Sequence, residues 1–127
     1  MILCAQMRIC FDLDNTLCAG KPYDVARPLP GAATLLKKLK AQGHTIIIFT
    51  ARGMGSSFGN SGKAIAQIGQ LTFAQLEEWG FPYDEVYFGK PSADLYVDDK
   101  SLNAFSLDDV EETIHDLQCF LGQTASK

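Results

Sequence analysis

The stretch from His44 to Thr50, H-T-I-I-I-F-T, is the feature that most narrows the fold. Its β-branched run carries no polar alternation, so the strand it predicts is buried on both faces. Such strands belong to parallel sheets clothed by helices. A second run of the same kind, Ile9-Cys10-Phe11 with Leu13, lies near the N-terminus. Between them a Pro- and Gly-rich stretch, Asn15 to Gly31, gives way at Pro30 to A32-A-T-L-L-K-K-L-K-A-Q, a helix pattern closed by Gly43. Strand, loop, helix and strand thus follow in the order a parallel crossover requires.

Beyond Arg52 the chain reads as a flexible loop over residues 53–63, then as a helix with Ile65, Ile68, Leu71, Leu76 and Trp79 on one side and a stop at Gly80. Gly69 and Thr72 are the places where it would break. E85-V-Y-F and L95-Y-V are two further strand candidates. A last helix from Ser106 spaces Leu107, Val110, Ile114, Leu117 and Leu121 at helical intervals. Its acids Asp108, Asp109, Glu111 and Glu112 suit the positive end of the helix dipole. The expected architecture is one α/β domain over 1–127, a doubly wound, mainly parallel Rossmann-like sheet, with residues 1–6 read as an appendage before Met7.

Composition excludes several classes. A chain of 127 residues holds one core, and 46% hydrophobic with 20% charged residues is globular. A net charge of −4 and pI near 5.0 argue against a general nucleic-acid or anionic-membrane surface. Cys4, Cys10, Cys18 and Cys119 form no C-x-x-C pair, which leaves them as scattered thiols in a reducing compartment. No apolar run exceeds strand length, nothing resembles a signal peptide, and a cytoplasmic location is the default reading. His44 and His115 stand far apart, at a strand start and within a helix, and read as structural. "GNSGKA" fails as a P-loop, since Ser57 and Ala64 stand where the motif needs Gly and Ser or Thr, and no strand precedes it.

In parallel sheets ligands sit at the carboxyl ends of the strands. There the sequence puts Asp12 and Asp14, then Thr50 and Arg52, then Lys90, then Asp98 and Asp99. Four carboxylates on one edge cannot all ionise without a cation, and a hard divalent metal with oxygen ligands answers that need. Asp12 and Asp14, two apart on an extended segment, share a face, so one can meet an electrophile while the other serves as acid and base. Mg²⁺ among them would offset the repulsion between Asp12 and a substrate phosphate.

The set D12-L-D-N-T, Thr50 after four hydrophobics, Lys90 and D98-D99 resembles the four motifs of the haloacid dehalogenase-like (HAD) phosphohydrolase superfamily, in family order. The longer string "TARGM…GNSGK…QLEEWGFPYDEVYFGKPSADLYVDDK" is similar to small capless members associated with capsular polysaccharide biosynthesis. The resemblance implies a HAD core without a cap and phosphatase chemistry. Asp12 would form a phosphoaspartyl intermediate, and Asp14 would protonate the leaving oxygen and then deprotonate water. Thr50 and Lys90 would hold the phosphoryl oxygens. Mg²⁺ would bind to Asp12, the Asp14 carbonyl, Asp98 and, directly or through water, Asp99. Asn15 stands where the family motif usually has Gly, a mild change because Asn tolerates left-handed geometry.

One departure stands out: only Gly89 to Asp94 separate the last two strand candidates, whereas a parallel crossover takes about a dozen residues. Lys63 is therefore the reserve for Lys90. Neither gap between motifs holds a cap-sized insert, so the mouth is open, and Lys21, Tyr23, Arg27, Arg52 and Lys63 are candidates to ring it and meet a small phosphorylated substrate, with help from a neighbouring subunit in a homo-oligomer. A sugar phosphate is the first choice, by resemblance, and a nucleotide or polymer-end phosphate the second. Two non-enzyme alternatives are a receiver-like regulatory domain, which the order of the acidic pairs disfavours, and a Mg²⁺- or phosphate-binding protein, which would not need Asp14.

Overall fold

The computed structural model describes residues 5–103 and 106–125. Five strands and three α-helices follow in the order β1 (Arg8–Asp12), β2 (Cys18–Ala19), β3 (Arg27–Pro28), α1 (Ala32–Ala41), β4 (Thr45–Thr50), α2 (Ser61–Glu78), β5 (Glu85–Phe88) and α3 (Leu107–Ala125), with a short 3₁₀ turn at Tyr23–Val25. β1, β4 and β5 make a three-stranded parallel sheet in the order β1-β4-β5, with Phe11 beside Ile48 and Ile48 beside Val86. The α/β parallel core is as the sequence predicts, and among the described residues no cap domain stands over the strand ends. β2 and β3 pair antiparallel inside the Pro-rich stretch, where no regular structure is expected.

Strand parity sorts the core. Residues paired across a parallel sheet point to the same side, so Ile9, Phe11, Ile46, Ile48 and Val86 share one face. Leu36 of α1, Leu76 of α2, and Val110 and Ile114 of α3 join the same cluster. Each buried aliphatic contributes about 1.5–3 kcal/mol, so this one layer carries most of the fold. The opposite face is barer: Cys10 is exposed and Tyr87 is half exposed. The expectation that these strands are covered on both faces is not met there. The unalternating Ile46-Ile47-Ile48 run suits β4 because it is the central strand, with Ile47 buried from its neighbours on either side.

Helix ends follow local chemistry. Asn60 Oδ1 accepts from the Lys63 amide at 3.0 Å and starts α2. That places Lys63 in the first turn of the helix rather than in a loop. The helix then runs through Gly69 and Thr72 without a break. Gly69 lies where an added Cβ would meet the Phe88 ring at 4.0 Å, and Thr72 is wholly buried against Arg52. Gly43, at φ +92°, ends the turn after α1 with the left-handed geometry that glycine supplies. His44 beside it is structural, accepting from the Met7 amide through Nδ1 at 3.0 Å. Of the proposed appendage, residues 1–4 lie outside the described residues, as does Cys4; Gln6 packs its side chain against Gly43.

The second strand candidate, L95-Y-V, is not a strand. Residues 91–103 have no helix or strand, and residues 91–100 are exposed throughout, with Leu95 77% and Val97 91% accessible. A strand needs a paired neighbour, and among the described residues this segment has none.

Candidate active site at the strand ends

Asp12 closes β1, and the chain turns sharply behind it. The amides of Thr16, Leu17 and Cys18 all converge on the Leu13 carbonyl, and Asn15 takes φ +64° to make the turn. The turn brings the Thr16 hydroxyl back to Asp12, donating to Oδ2 at 3.1 Å. The other oxygen, Oδ1, accepts from Lys90 Nζ at 3.2 Å. Asp12 keeps 35% of its side chain accessible, so it is held yet reachable.

Lys90 is placed by β5 and the turn after it. Gly89 adopts φ +94°, and a Cβ there would come within 3.1 Å of Ser61 Cβ, which leaves little room for any other residue. The Lys90 amide then bonds the Thr50 carbonyl at 3.2 Å, and its ammonium lies 5.9 Å from the Phe49 ring centre and 4.3 Å from that of Tyr96. It is Lys90 whose ammonium reaches Asp12; Lys63 is exposed on α2. Thr50 ends β4 fully buried, its Oγ1 accepting from the Arg52 amide at 3.0 Å. Its hydroxyl proton is left to aim elsewhere.

Arg52 does not stand at the mouth as a substrate ligand. It is 1% exposed, and its guanidinium grips Asp14 with two parallel bonds, Nε to Oδ2 and Nη2 to Oδ1, both 2.9 Å. Nη1 donates to Thr72 at 3.2 Å and to Gln75 at 2.6 Å, Nη2 also touches Cys18 Sγ at 3.7 Å, and the Tyr23 ring lies 4.7 Å away. All five donors are engaged, so none remains for a ligand. Burial alone would weaken the guanidinium's hold on its proton, but the Asp14 carboxylate more than offsets this and raises its pKa. Burial and the same carboxylate push the Cys18 thiol up to about 12, so it stays protonated and donates to Asp14 Oδ1 at 3.5 Å. Sequence reasoning missed Thr72, Gln75 and Cys18 as partners of this pair; a polar Thr and Gln three apart on one helix stripe were the available signal.

The remaining candidates stand apart from this centre. Arg27 is exposed and bonds its own loop, at the carbonyls of Val25 and Ala26. Lys21 is exposed in the same loop. Asp98 and Asp99 are exposed, and Asp98 Oδ1 accepts from the Lys100 amide at 2.7 Å. Among the described residues no three His, Cys, Asp or Glu side chains gather closely enough to hold a metal ion. The expected four-carboxylate centre is therefore not assembled: Asp12 and Asp14 stand at the sheet edge, and both Asp14 oxygens face Arg52. The physical reason is the missing fourth strand, whose end was to carry Asp98 there. A concavity of about 310 Å³ lies elsewhere, in the crevice between α1 and α3, where Lys38 pairs with Glu111.

No protein-family model matches the chain, and no curated protein does. Among solved structures it is similar to a structural-genomics target from Vibrio cholerae, at 25% identity over 88% of this chain and 98% of that one, with a TM-score of 0.73. A second similarity is to D,D-heptose 1.7-bisphosphate phosphatase from B. bronchiseptica, crystallised with magnesium and phosphate. It reaches 15% identity over 87% of this chain and 64% of that one, with a TM-score of 0.46. The first similarity extends over nearly the whole of both chains and supports a common α/β fold. No helix among the described residues is long and apolar enough to cross a membrane.

Proposed function

We propose that this protein is a phosphomonoester hydrolase of the haloacid dehalogenase-like type, with Asp12 as the nucleophile. The observation that carries the reading is the setting of Asp12: a carboxylate at a strand end, reachable from solvent, held between the Thr16 hydroxyl and the Lys90 ammonium. A purely structural aspartate would not need to stay reachable from solvent with a partly accessible lysine on one oxygen and a hydroxyl on the other.

In the proposed reaction an Asp12 oxygen attacks phosphorus and the bond from phosphorus to the leaving oxygen breaks. Lys90 and the Thr50 hydroxyl donate to the phosphoryl oxygens as charge moves onto them. Water then attacks the phosphoaspartyl group, its proton passes to Asp14, and phosphate leaves with Asp12 restored. Arg52 aims Asp14 for that second step. Protonating the leaving group in the first step requires Asp14 to carry a proton, with one of its oxygens free of Arg52; the water proton taken up in the second step restores it. Mg²⁺ is the cofactor this chemistry calls for, yet among the described residues the acids that would hold it do not gather around one point. By resemblance the substrate is a sugar phosphate of polysaccharide biosynthesis, or else a nucleotide or polymer-end phosphate that an open edge admits.

The test is hydrolysis of an aryl phosphate and a panel of phosphorylated metabolites, each with Mg²⁺ and with chelator. Turnover that Asp12→Asn lowers by on the order of 10³-fold or more supports the reading. Absence of turnover on every substrate under both conditions contradicts it.

A further inference from the structure

Delivering a proton to the leaving oxygen needs one Asp14 oxygen to swing free of Arg52, and the two partners of that ion pair are not equally able to move. The Arg52 side chain is wholly buried, whereas 23% of the Asp14 side chain is accessible. What holds the guanidinium is α2: Nη1 donates to Thr72 Oγ1 at 3.2 Å and to Gln75 Oε1 at 2.6 Å. Gln75 is itself 4% exposed, and its other end, Nε2, donates to the Tyr23 carbonyl at 2.6 Å. We infer that Gln75 is a positioning residue for the reaction. By tying Nη1 of Arg52 to the loop at Tyr23, it keeps the guanidinium in place while Asp14 turns one protonated oxygen toward the leaving group. The inference rests on the proposed function for the proton step, and not for the anchoring of Arg52.

The chemistry that can occupy position 75 is narrow. A guanidinium only donates, so the group facing it must accept; a carbonyl only accepts, so the group facing Tyr23 must donate. A primary amide does both, in a single orientation. A glutamate there would meet Arg52 but set a second acceptor against the Tyr23 carbonyl, and it would compete with Asp14 for the guanidinium. A methionine would leave both partners unanswered, and an asparagine is one methylene shorter than the span.

The loop end of the tie is as well built as the helix end. The loop departs from β2 just after the bridge between Asp14 and Cys18, and its neck closes at Gly20, φ +127°, where an added Cβ would stand 3.0 Å from Ala26 Cα. The Tyr23 carbonyl accepts from the Ala26 amide at 3.1 Å as well as from Gln75, which uses both of its lone pairs. The Tyr23 ring centre lies 4.7 Å from Arg52 Cζ and gives the guanidinium a cation–π contact. Amide, hydroxyl and ring thus all hold Arg52 independently of Asp14. A turn of Asp14 then does not draw the guanidinium after it.

Leaving groups separate positioning from packing. An alkyl phosphate needs its leaving oxygen protonated as the bond to phosphorus breaks, and p-nitrophenyl phosphate does not. Gln75→Met and Gln75→Asn in the full chain should each lose at least about tenfold more kcat/KM on the alkyl phosphate than on p-nitrophenyl phosphate, since general acid assistance is worth about 10²–10⁴-fold. Gln75→Asn keeps the site polar and stands in should Gln75→Met not fold. Equal losses on the two substrates, as lower stability would give, or no loss would overturn the inference. Hydrogen exchange at the Arg52 Nε–H reads the anchoring without turnover. In the wild type it should be at least about tenfold slower than at exposed Arg27, and it should quicken in Gln75→Asn. Exchange as fast as at Arg27, or unchanged in the variant, would overturn the anchor. The expected exchange pattern in a protein that hydrolyses neither phosphate would sink the phosphatase reading, and the proton step with it, while upholding the anchor.

Discussion

Residues 11–18 and 91–103 both run from apolar strand sequence into acidic residues, and they end in opposite conditions. In the first, Leu13 and Leu17 are fully buried, Asp12 is held by Thr16 and Lys90, and Asp14 is held by Arg52. In the second, Leu95 and Val97 face water, and among the described residues Asp98 bonds its own turn at Lys100 and Ser101. Composition does not separate the two segments. What separates them is a neighbour: β1 finds β4 through α1, and 95–99 has no paired strand. Propensity makes a segment fit to be a strand, and pairing makes it one.

The sharpest test of that contrast is chemical. Asp12→Asn should abolish turnover, a loss on the order of 10³-fold or more, while Asp99→Asn, on the unpaired segment, should leave most of it; kcat on an aryl phosphate reads both. Next in size is the Arg52–Asp14 pair. Arg52→Met leaves Asp14, Thr72 and Gln75 facing an apolar chain, and removing one partner of a buried ion pair costs about 3–5 kcal/mol. Chemical denaturation should show that loss. Arg27→Met, an exposed side chain bonded to its own loop, should change stability by less than about 0.5 kcal/mol.

A pair of truncations compares the two segments directly. Leu13→Ala should cost about 2–5 kcal/mol, as for other buried leucines. Leu95→Ala, on the exposed segment, should change stability by less than about 0.5 kcal/mol. Thermal melts of both variants read that difference. The smallest effect concerns pH. Asp84 is held below the usual carboxylate range by Lys40 and by the Ile46 amide, and Glu85 by Arg8 and the Tyr87 hydroxyl. The folded protein thus takes up these protons less readily than the unfolded chain. The stabilisation is complete above the ordinary values near pH 4 and is lost as pH falls through the lowered ones. Acid melts of Asp84→Asn with Glu85→Gln should show a weaker fall in midpoint below about pH 4 than the wild type.

Much of the architecture was legible because it is written in local patterns. The Ile46-Ile47-Ile48 run, the helix ending at Gly43 and the D-x-D after Phe11 each carry their own signal. Lys90 was legible from "GKP" although the short connection counted against it. Arg52 was not legible: its place beside "TARGM" looks like a loop mouth, and only the tertiary position of Thr72 and Gln75 on α2 turns it inward. The bare face was hidden for a similar reason. Cys10 and Tyr87 sit in apolar strand sequence, and nothing local says that the helices gather on the other side.

The central claim is that Asp12 captures phosphorus, and the most direct measurement is the covalent state of that residue during turnover. Enzyme quenched in acid while hydrolysing an aryl phosphate should carry a phosphoryl group on the peptide containing Asp12, and Asp12→Asn should carry none and turn over no substrate. Undiminished hydrolysis by Asp12→Asn would contradict the account.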